Sequence, residues 1–166
     1  MDKRKILVDE DEYSINDGLT FALRKEGYDV RSAFNGREAL ELFKEFNPEV
    51  VLLDLMLPDI DGFDICREIS KSTYVIMITA RGDIFDKIVG LELGADDYIV
   101  KPFEIREVLV RIKVIFRRKE KHLKNTLPKE SPEVIKGITI LSKDRIVLKN
   151  KKEVPLRKKE FDLLNF

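Results

Sequence analysis

One alternation governs this sequence: a short, mostly apolar run, then a stretch whose apolar residues recur at helical spacing, five times over. The runs lie at residues 6–8, 28–30, 50–53, 75–78 and 98–100. The helical stretches lie at 14–26, 37–46, 63–70, 84–93 and 104 to about 121. In the first stretch Ile15, Leu19, Ala22 and Leu23 share a face; in the last, Val108, Leu109, Ile112, Ile115 and Phe116 do. Gly27, Asn47-Pro48 and Gly94 stop three of these helices. Val50, Val51, Leu52 and Leu53 leave no polar side chain for a solvent face, as expected of a central parallel strand covered on both sides. Strands separated by helices predict an α/β fold, a parallel sheet with helices on both faces and right-handed crossovers.

The alternation fades after residue 121. Residues 122–133 are polar, contain Pro128 and Pro132, and read as a linker. Three runs then resemble short antiparallel strands, at 134–140, 145–148 and 153–156, with a turn at Asn150. A helix is expected from Lys158 to the end, with Phe161, Leu163 and Leu164 apolar. The 166 residues thus hold one domain of about 120 residues and a remainder short for a core of its own. No run of 18 apolar residues appears, and residues 1–5 carry no signal-peptide pattern. The lone Cys66 forms no internal disulfide and reads as a buried small apolar residue. These features lead to the expectation of a cytoplasmic protein that does not enter a membrane. Net charge is zero but uneven: residues 1–122 carry 20 basic and 25 acidic side chains (−5), residues 123–166 carry 11 and 6 (+5). An acidic front and a basic tail fit a cation site followed by a segment that meets nucleic acid.

Open parallel sheets bind ligands at the carboxyl ends of their strands. Here those ends carry Asp9-Glu10-Asp11-Glu12, then Asp54, then Thr79-Ala80, then Lys101-Pro102. Each alone is ordinary, since acidic runs after strands are commonly solvated loops. Their joint occurrence at successive strand ends predicts a site. Glu10, Asp11 and Asp54 are hard oxygen ligands suited to Mg²⁺, and a cation relieves their mutual repulsion. Asp54 is the best-placed nucleophile toward a phosphoryl donor, giving an aspartyl-phosphate. Lys101 neutralises the transferred oxygens and Thr79 donates a hydrogen bond to one of them.

These residues resemble the receiver domain of two-component response regulators, of the OmpR/PhoB class with a winged-helix output domain. The resemblance is carried by residues 6–8 with Glu10-Asp11-Glu12, by Asp54-Leu55-Met56-Leu57-Pro58-Asp59 with Asp61-Gly62, by Thr79-Ala80-Arg81, by Gly94-Ala95-Asp96-Asp97-Tyr98, and by Lys101-Pro102-Phe103. It implies a (βα)5 flavodoxin-like receiver over residues 1–121 with strand order 2-1-3-4-5. It implies Asp54 as phosphoacceptor, Mg²⁺ on Glu10, Asp11, Asp54 and the Met56 carbonyl, and Thr79 and Lys101 on the phosphoryl group. Thr79 and Tyr98 would form a switch, and a sensor histidine kinase would be the donor. Phosphorylation would favour a homodimer through the fourth helix, fifth strand and fifth helix. Its expected members are Lys87 with Glu107, Asp97 with Arg111, Asp96 with Arg118, and Ile88, Leu91 and Leu109 at an apolar centre. Residues 134–166 resemble the antiparallel sheet and first helix of the winged-helix domain, without recognition helix and wing. Promoter DNA is therefore expected as the partner of an intact form and not of this chain.

Four departures stand out. Asp9 takes a position normally apolar in the family. The third helix and its following loop are about two residues short, with no proline before Val75. Arg157 replaces the usual hydroxyl N-cap of the output domain's first helix. The reader helix is missing. Three other functions stay open: a signalling decoy without DNA binding, a phosphorylation-independent adaptor, and a Mg²⁺-dependent aspartyl-phosphate hydrolase. Met56, two residues after Asp54 where such a hydrolase carries an acid, speaks against the last.

Overall fold

The structure, a computed structural model, describes residues 2–125 and, beyond them, the backbone of four further strands. The chain divides into two compact units, Met1–Ile112 and Lys113–Phe166. β1 (Lys5–Asp9), β2 (Asp29–Ala33), β3 (Val50–Leu53), β4 (Tyr74–Thr79) and β5 (Asp97–Val100) alternate with α1 (Tyr13–Lys25), α2 (Gly36–Phe46), α3 (Gly62–Ile69), α4 (Ile84–Glu92) and α5 (Ile105–Asn125), the last of which begins in the first unit and ends in the second. All pairings are parallel and the order is β2-β1-β3-β4-β5, as expected for a (βα)5 receiver fold. The order reverses between β1 and β3, which opens a crevice at their carboxyl ends.

Local chemistry sets the helix limits. The side chains of Asn35, Asp61 and Asp83 accept from Glu38 N, Phe63 N and Phe85 N and so cap α2, α3 and α4. Asn47, at φ 51, ends α2 in the left-handed region ahead of Pro48. β3 is buried along its length, as its unbroken apolar run required. Leu7, Val51, Leu53, Ile65, Ile69 and Met77 pack one face of the sheet, with Cys66 fully buried among them. A stacked core of this kind holds the strand ends in fixed register, which is what the site needs.

Several expectations shift. β2, expected to start at Tyr28-Asp29-Val30, starts one residue later and runs from Asp29 to Ala33; it is an edge strand, so Arg31 and Ser32 take exposed or half-buried places that an apolar pattern does not reveal. α5 continues to Asn125, so His122 lies on a helix and the first residues of the expected linker are helical. On α1 the buried residues are Asn16, Leu19, Thr20 and Leu23, while Ile15 and Ala22 are half-buried. The apolar run at 134–140 is two strands, β6 (Glu133–Ile135) and β7 (Ile138–Leu141), paired antiparallel with Ile135 opposite Ile138. With β8 (Ile146–Lys149) and β9 (Lys152–Val154) they form a four-stranded antiparallel sheet. The helix expected from Lys158 onward lies outside the described residues. Among the described residues no helix is long and apolar enough to cross a membrane.

Candidate functional site

The site begins where β1 and β3 end. Asp9 lies opposite Leu53 in the ladder, and Asp54 N donates to Asp9 O at 2.9 Å. This one extra bond carries the register past the strand end and sets Asp54 beside the acidic turn. Glu10, Asp11 and Asp54 each place a carboxylate oxygen within 4.8 Å of the others. Asp54 is 3% and Glu10 2% exposed, whereas Asp11 reaches solvent. Asp54 Oδ1 accepts from Met56 N at 2.8 Å, and Asp54 Oδ2 accepts from Lys101 Nζ at 2.8 Å. Lys101 Nζ also stands 2.8 Å from Glu10 Oε2, as an ion pair lacking hydrogen-bond alignment.

Lys101 reaches this place from β5. Its backbone N donates to Thr79 O at 2.8 Å, which continues the β4–β5 ladder and brings Thr79 to the same rim. Thr79 is fully buried and its Oγ1 accepts from Arg81 N at 3.2 Å. Tyr98 is 5% exposed, and its hydroxyl donates to Arg81 O at 2.7 Å. Arg81 therefore links the hydroxyl of Thr79 to that of Tyr98 through its own N–H and C=O.

The electrostatics follow from burial and sign. Burial pushes the Glu10 carboxyl up to about 7, against the adjacent Lys101 ammonium that lowers it and with the Asp54 charge adding to the rise. Burial opposes the Lys101 ammonium, yet the hydrogen bond to Asp54 and the adjacent Glu10 carboxylate outweigh it and its pKa is raised. Burial also raises the Tyr98 hydroxyl, helped by Asp86. Asp9 is the extreme case. It is fully buried, neither oxygen has a hydrogen-bond partner, and burial followed by repulsion from Asp54 pushes it up to about 9. One ammonium thus faces a surplus of carboxylates. The donor set is hard oxygen, partly buried, partly open to solvent and short of positive charge. It fits Mg²⁺, which takes one or a few carboxylates and keeps waters.

Of the residues expected at a dimer surface, Lys87 and Arg118 are exposed, Ile88 and Leu91 are 49% and 42% exposed, and Leu109 is half-buried. Within one chain Arg111 already donates to Asp97 Oδ2 and Glu107 Oε1, both at 2.7 Å. Asp96 Oδ2 accepts from Val75 N at 2.8 Å. Ile84, Phe85 and Val100 are exposed as well and were not expected to be; their exposure at a helix start and a strand end breaks no sequence period. Two further features escaped the sequence. Asp59 accepts from Gly36 N and Arg37 N at 2.7 and 2.9 Å, tying the loop after Asp54 to the start of α2, and these bonds hold its carboxyl below the usual range. Asn16 and Thr20 form a buried polar pair on α1.

A family model described as the response regulator receiver domain matches residues 6–113. A CheY-like receiver domain protein from Methanospirillum hungatei is 30% identical over 72% of this chain and 98% of its own, with a TM-score of 0.69. A response regulator described as putative from Chloroflexus aurantiacus is 38% identical over 69% of this chain and 98% of its own, with a TM-score of 0.64. The response regulator DrrB, a Thermotoga maritima OmpR/PhoB homolog, is 30% identical over 98% of this chain and 71% of its own, with a TM-score of 0.62.

Proposed function

Given that this chain belongs to the response regulator receiver domain family, we propose that it accepts a phosphoryl group on Asp54 from a sensor histidine kinase and uses the modification as a switch. Membership sets it among receiver domains and apart from classical catalytic enzymes. The observation that carries the reading is the Lys101 ammonium 2.8 Å from Asp54 Oδ2, beside three carboxylates whose oxygens lie within 4.8 Å of one another.

In the transfer an Asp54 oxygen attacks the phosphorus of a phosphohistidine; the P–N bond breaks and its electron pair leaves with the imidazole. Asp54 attacks as a carboxylate and needs no base. Met56 N, bonded to Oδ1, fixes the orientation of the carboxylate. Lys101 then moves from Asp54 Oδ2 to an oxygen of the phosphoryl group. Thr79 donates its hydroxyl hydrogen to another and can still accept from Arg81 N. Glu10, Asp11, Asp54 and the Met56 carbonyl would hold Mg²⁺, which would supply positive charge against the transferred oxygens.

The Thr79–Arg81–Tyr98 chain supports a switch in which the Thr79 hydroxyl and the Tyr98 ring respond together. The surface of α4, β5 and α5 is the proposed output: Ile88, Leu91 and Leu109 at its centre, ringed by Lys87, Asp96, Asp97, Glu107, Arg111 and Arg118, pairing two copies. The Arg111 bonds to Asp97 and Glu107 then exchange or are shared between copies. We assign residues 1–121 to the receiver, 122–133 to a connection whose first residues continue α5 and whose last begins β6, and 134–166 to part of an OmpR/PhoB-type output domain that, in a longer protein, binds promoter DNA in the cytoplasm. The alignment with the Thermotoga homolog over 98% of the chain and the antiparallel sheet of β6–β9 support this. The unpartnered Asp9 beside the site favours one competing reading, an adaptor that works without phosphorylation.

The test is incubation with Mg²⁺ and acetyl phosphate, followed by intact-mass measurement. One added phosphoryl group, absent from Asp54→Asn, is expected. No label on the parent protein, or equal label on Asp54→Asn, ends the phosphoacceptor reading and leaves the adaptor.

A further inference from the structure

The acidic turn that bears Glu10 and Asp11 leaves the sheet after Asp9, and past the single bond from Glu10 N to Ala33 O no strand pairs with it. What holds it is a side chain from the following helix. Asn16 Nδ2 donates to Glu10 O at 2.8 Å and to Ala33 O at 2.9 Å. Ala33 O also accepts from Glu10 N at 3.2 Å. One carboxamide therefore joins three elements: the exit of β1, the end of β2 and the first turn of α1. Its orientation is fixed as well, because Thr20 Oγ1 donates to Asn16 Oδ1 at 3.3 Å and so leaves the amide NH₂ facing the two carbonyls. Asn16 is 1% and Thr20 6% exposed, so water does not substitute for either bond. A polar pair on the inward face of a helix that otherwise presents leucines has no part in the hydrophobic core and must answer to these carbonyls.

Resting on the phosphoacceptor reading of the same site, we propose that Asn16 is a positioning residue for the divalent cation, with Thr20 as the group that sets its amide. By holding the carbonyl of Glu10, it fixes the peptide between Glu10 and Asp11, and hence the directions from which both carboxylates approach Asp54. A loop carrying two like charges drifts outward when untied, since repulsion spreads the carboxylates. Groups that orient ligands without touching a metal commonly change its affinity 10- to 100-fold when lost.

The experiment is Mg²⁺ titration by calorimetry on the full chain, at fixed ionic strength, for the parent, Asn16→Ala, Thr20→Val and Thr73→Val. Melting in EDTA runs alongside. Thr73 Oγ1 donates to Pro48 O at 2.8 Å at the opposite end of the sheet, so its variant loses a buried hydrogen bond without touching the site. Asn16→Ala is expected to weaken Mg²⁺ binding at least about tenfold, and Thr20→Val by a smaller factor in the same direction. Thr73→Val should lower the melting temperature while leaving affinity within about twofold of the parent. Asn16→Ser, shorter but still polar, should restore part of the loss. Asn16→Ala binding Mg²⁺ like a parent that binds it overturns this proposal alone; if Asn16→Ala does not fold, unchanged affinity in Thr20→Val and Asn16→Ser does so. A parent that binds no Mg²⁺ overturns the site reading and this proposal together.

Discussion

The two ends of the parallel sheet are built on opposite terms. At the amino-terminal end polar groups meet the backbone in close pairs. Glu49 N donates to Lys5 O and Asp29 N to Arg4 O, both at 2.9 Å, Thr73 Oγ1 to Pro48 O at 2.8 Å, and Asp96 N to Val75 O at 2.7 Å. At the carboxyl end both oxygens of Asp9 and one of Glu10 have no hydrogen-bond partner, and Lys101 is divided between two carboxylates. The same strands pass through both ends, so sheet quality is not the difference. Stability is gathered at one end; charge that a ligand relieves is gathered at the other. Proteins commonly depart from local consistency where they function, and here the departure is confined to one rim.

The comparison is broken most severely if the carboxyl end is merely loose. Gly62 opposes that idea. A Cβ at this position would lie 2.5 Å from Leu55 Cα and 2.7 Å from Asp54 O, both backbone atoms that do not turn aside. Gly62→Ala should therefore cost about 3 kcal/mol, read as a lower urea midpoint at constant slope. A loss below about 0.5 kcal/mol would mean the loop after Asp54 yields freely, and the rim would then be flexible and not strained by charge.

Asp9 gives the next largest effect, with the opposite sign. Its folded-state pKa of about 9 stands above the ordinary 3.8. Between those values the folded protein keeps a proton that the unfolded chain has released. Stability is thus fully present below the lower value and declines as pH rises toward the higher one, by about 1.4 kcal/mol per pH unit for one proton. Asp9→Val should remove that decline and so be more stable than the parent at pH 8, with the gain shrinking as pH falls, measured by urea unfolding in EDTA. A shallower slope remains from Glu10, raised to about 7. Superimposable pH profiles for the two proteins would show that the Asp9 carboxyl is not raised on folding.

Much of this was legible in the sequence, because the relevant period is short. The apolar run at residues 50–53 required a strand covered on both faces, and that fixed where Asp54 had to emerge. Lys101 and Thr79 followed from asking what stands at strand ends. Asp9 was visible as an acid in an apolar place, but its burial and lack of partners depend on tertiary packing that the sequence does not display. Asn16 and Thr20 were invisible for a different reason. Helical periodicity detects burial through apolar residues, and a polar pair on the buried face reads as a gap in the stripe. Its partners, Glu10 O and Ala33 O, are backbone atoms and leave no mark on the sequence. The fold of the 134–140 run into two strands was hidden because both halves are β-formers, and only their pairing distinguishes one long strand from a hairpin.

The smallest expected effect tests the other end of the comparison. Thr73 is 2% exposed, and its hydroxyl bridges the turn before β3 to the loop before β4. Valine matches threonine in shape but carries no hydroxyl, so Thr73→Val leaves the Pro48 carbonyl without this donor at little change in packing. The cost should be about 1 kcal/mol. The rate of labelling by acetyl phosphate, compared at saturating Mg²⁺, should stay within about twofold of the parent, because a local loss at a distance adds to stability without entering the chemistry. The logic is one-sided in a useful way. A slower label in a protein destabilised by so little could not come from unfolding, since the folded form still dominates by orders of magnitude in any domain of ordinary stability. It could only mean that the amino-terminal end passes its strain along the strands to Asp54, and the division of labour between the two ends would then be wrong.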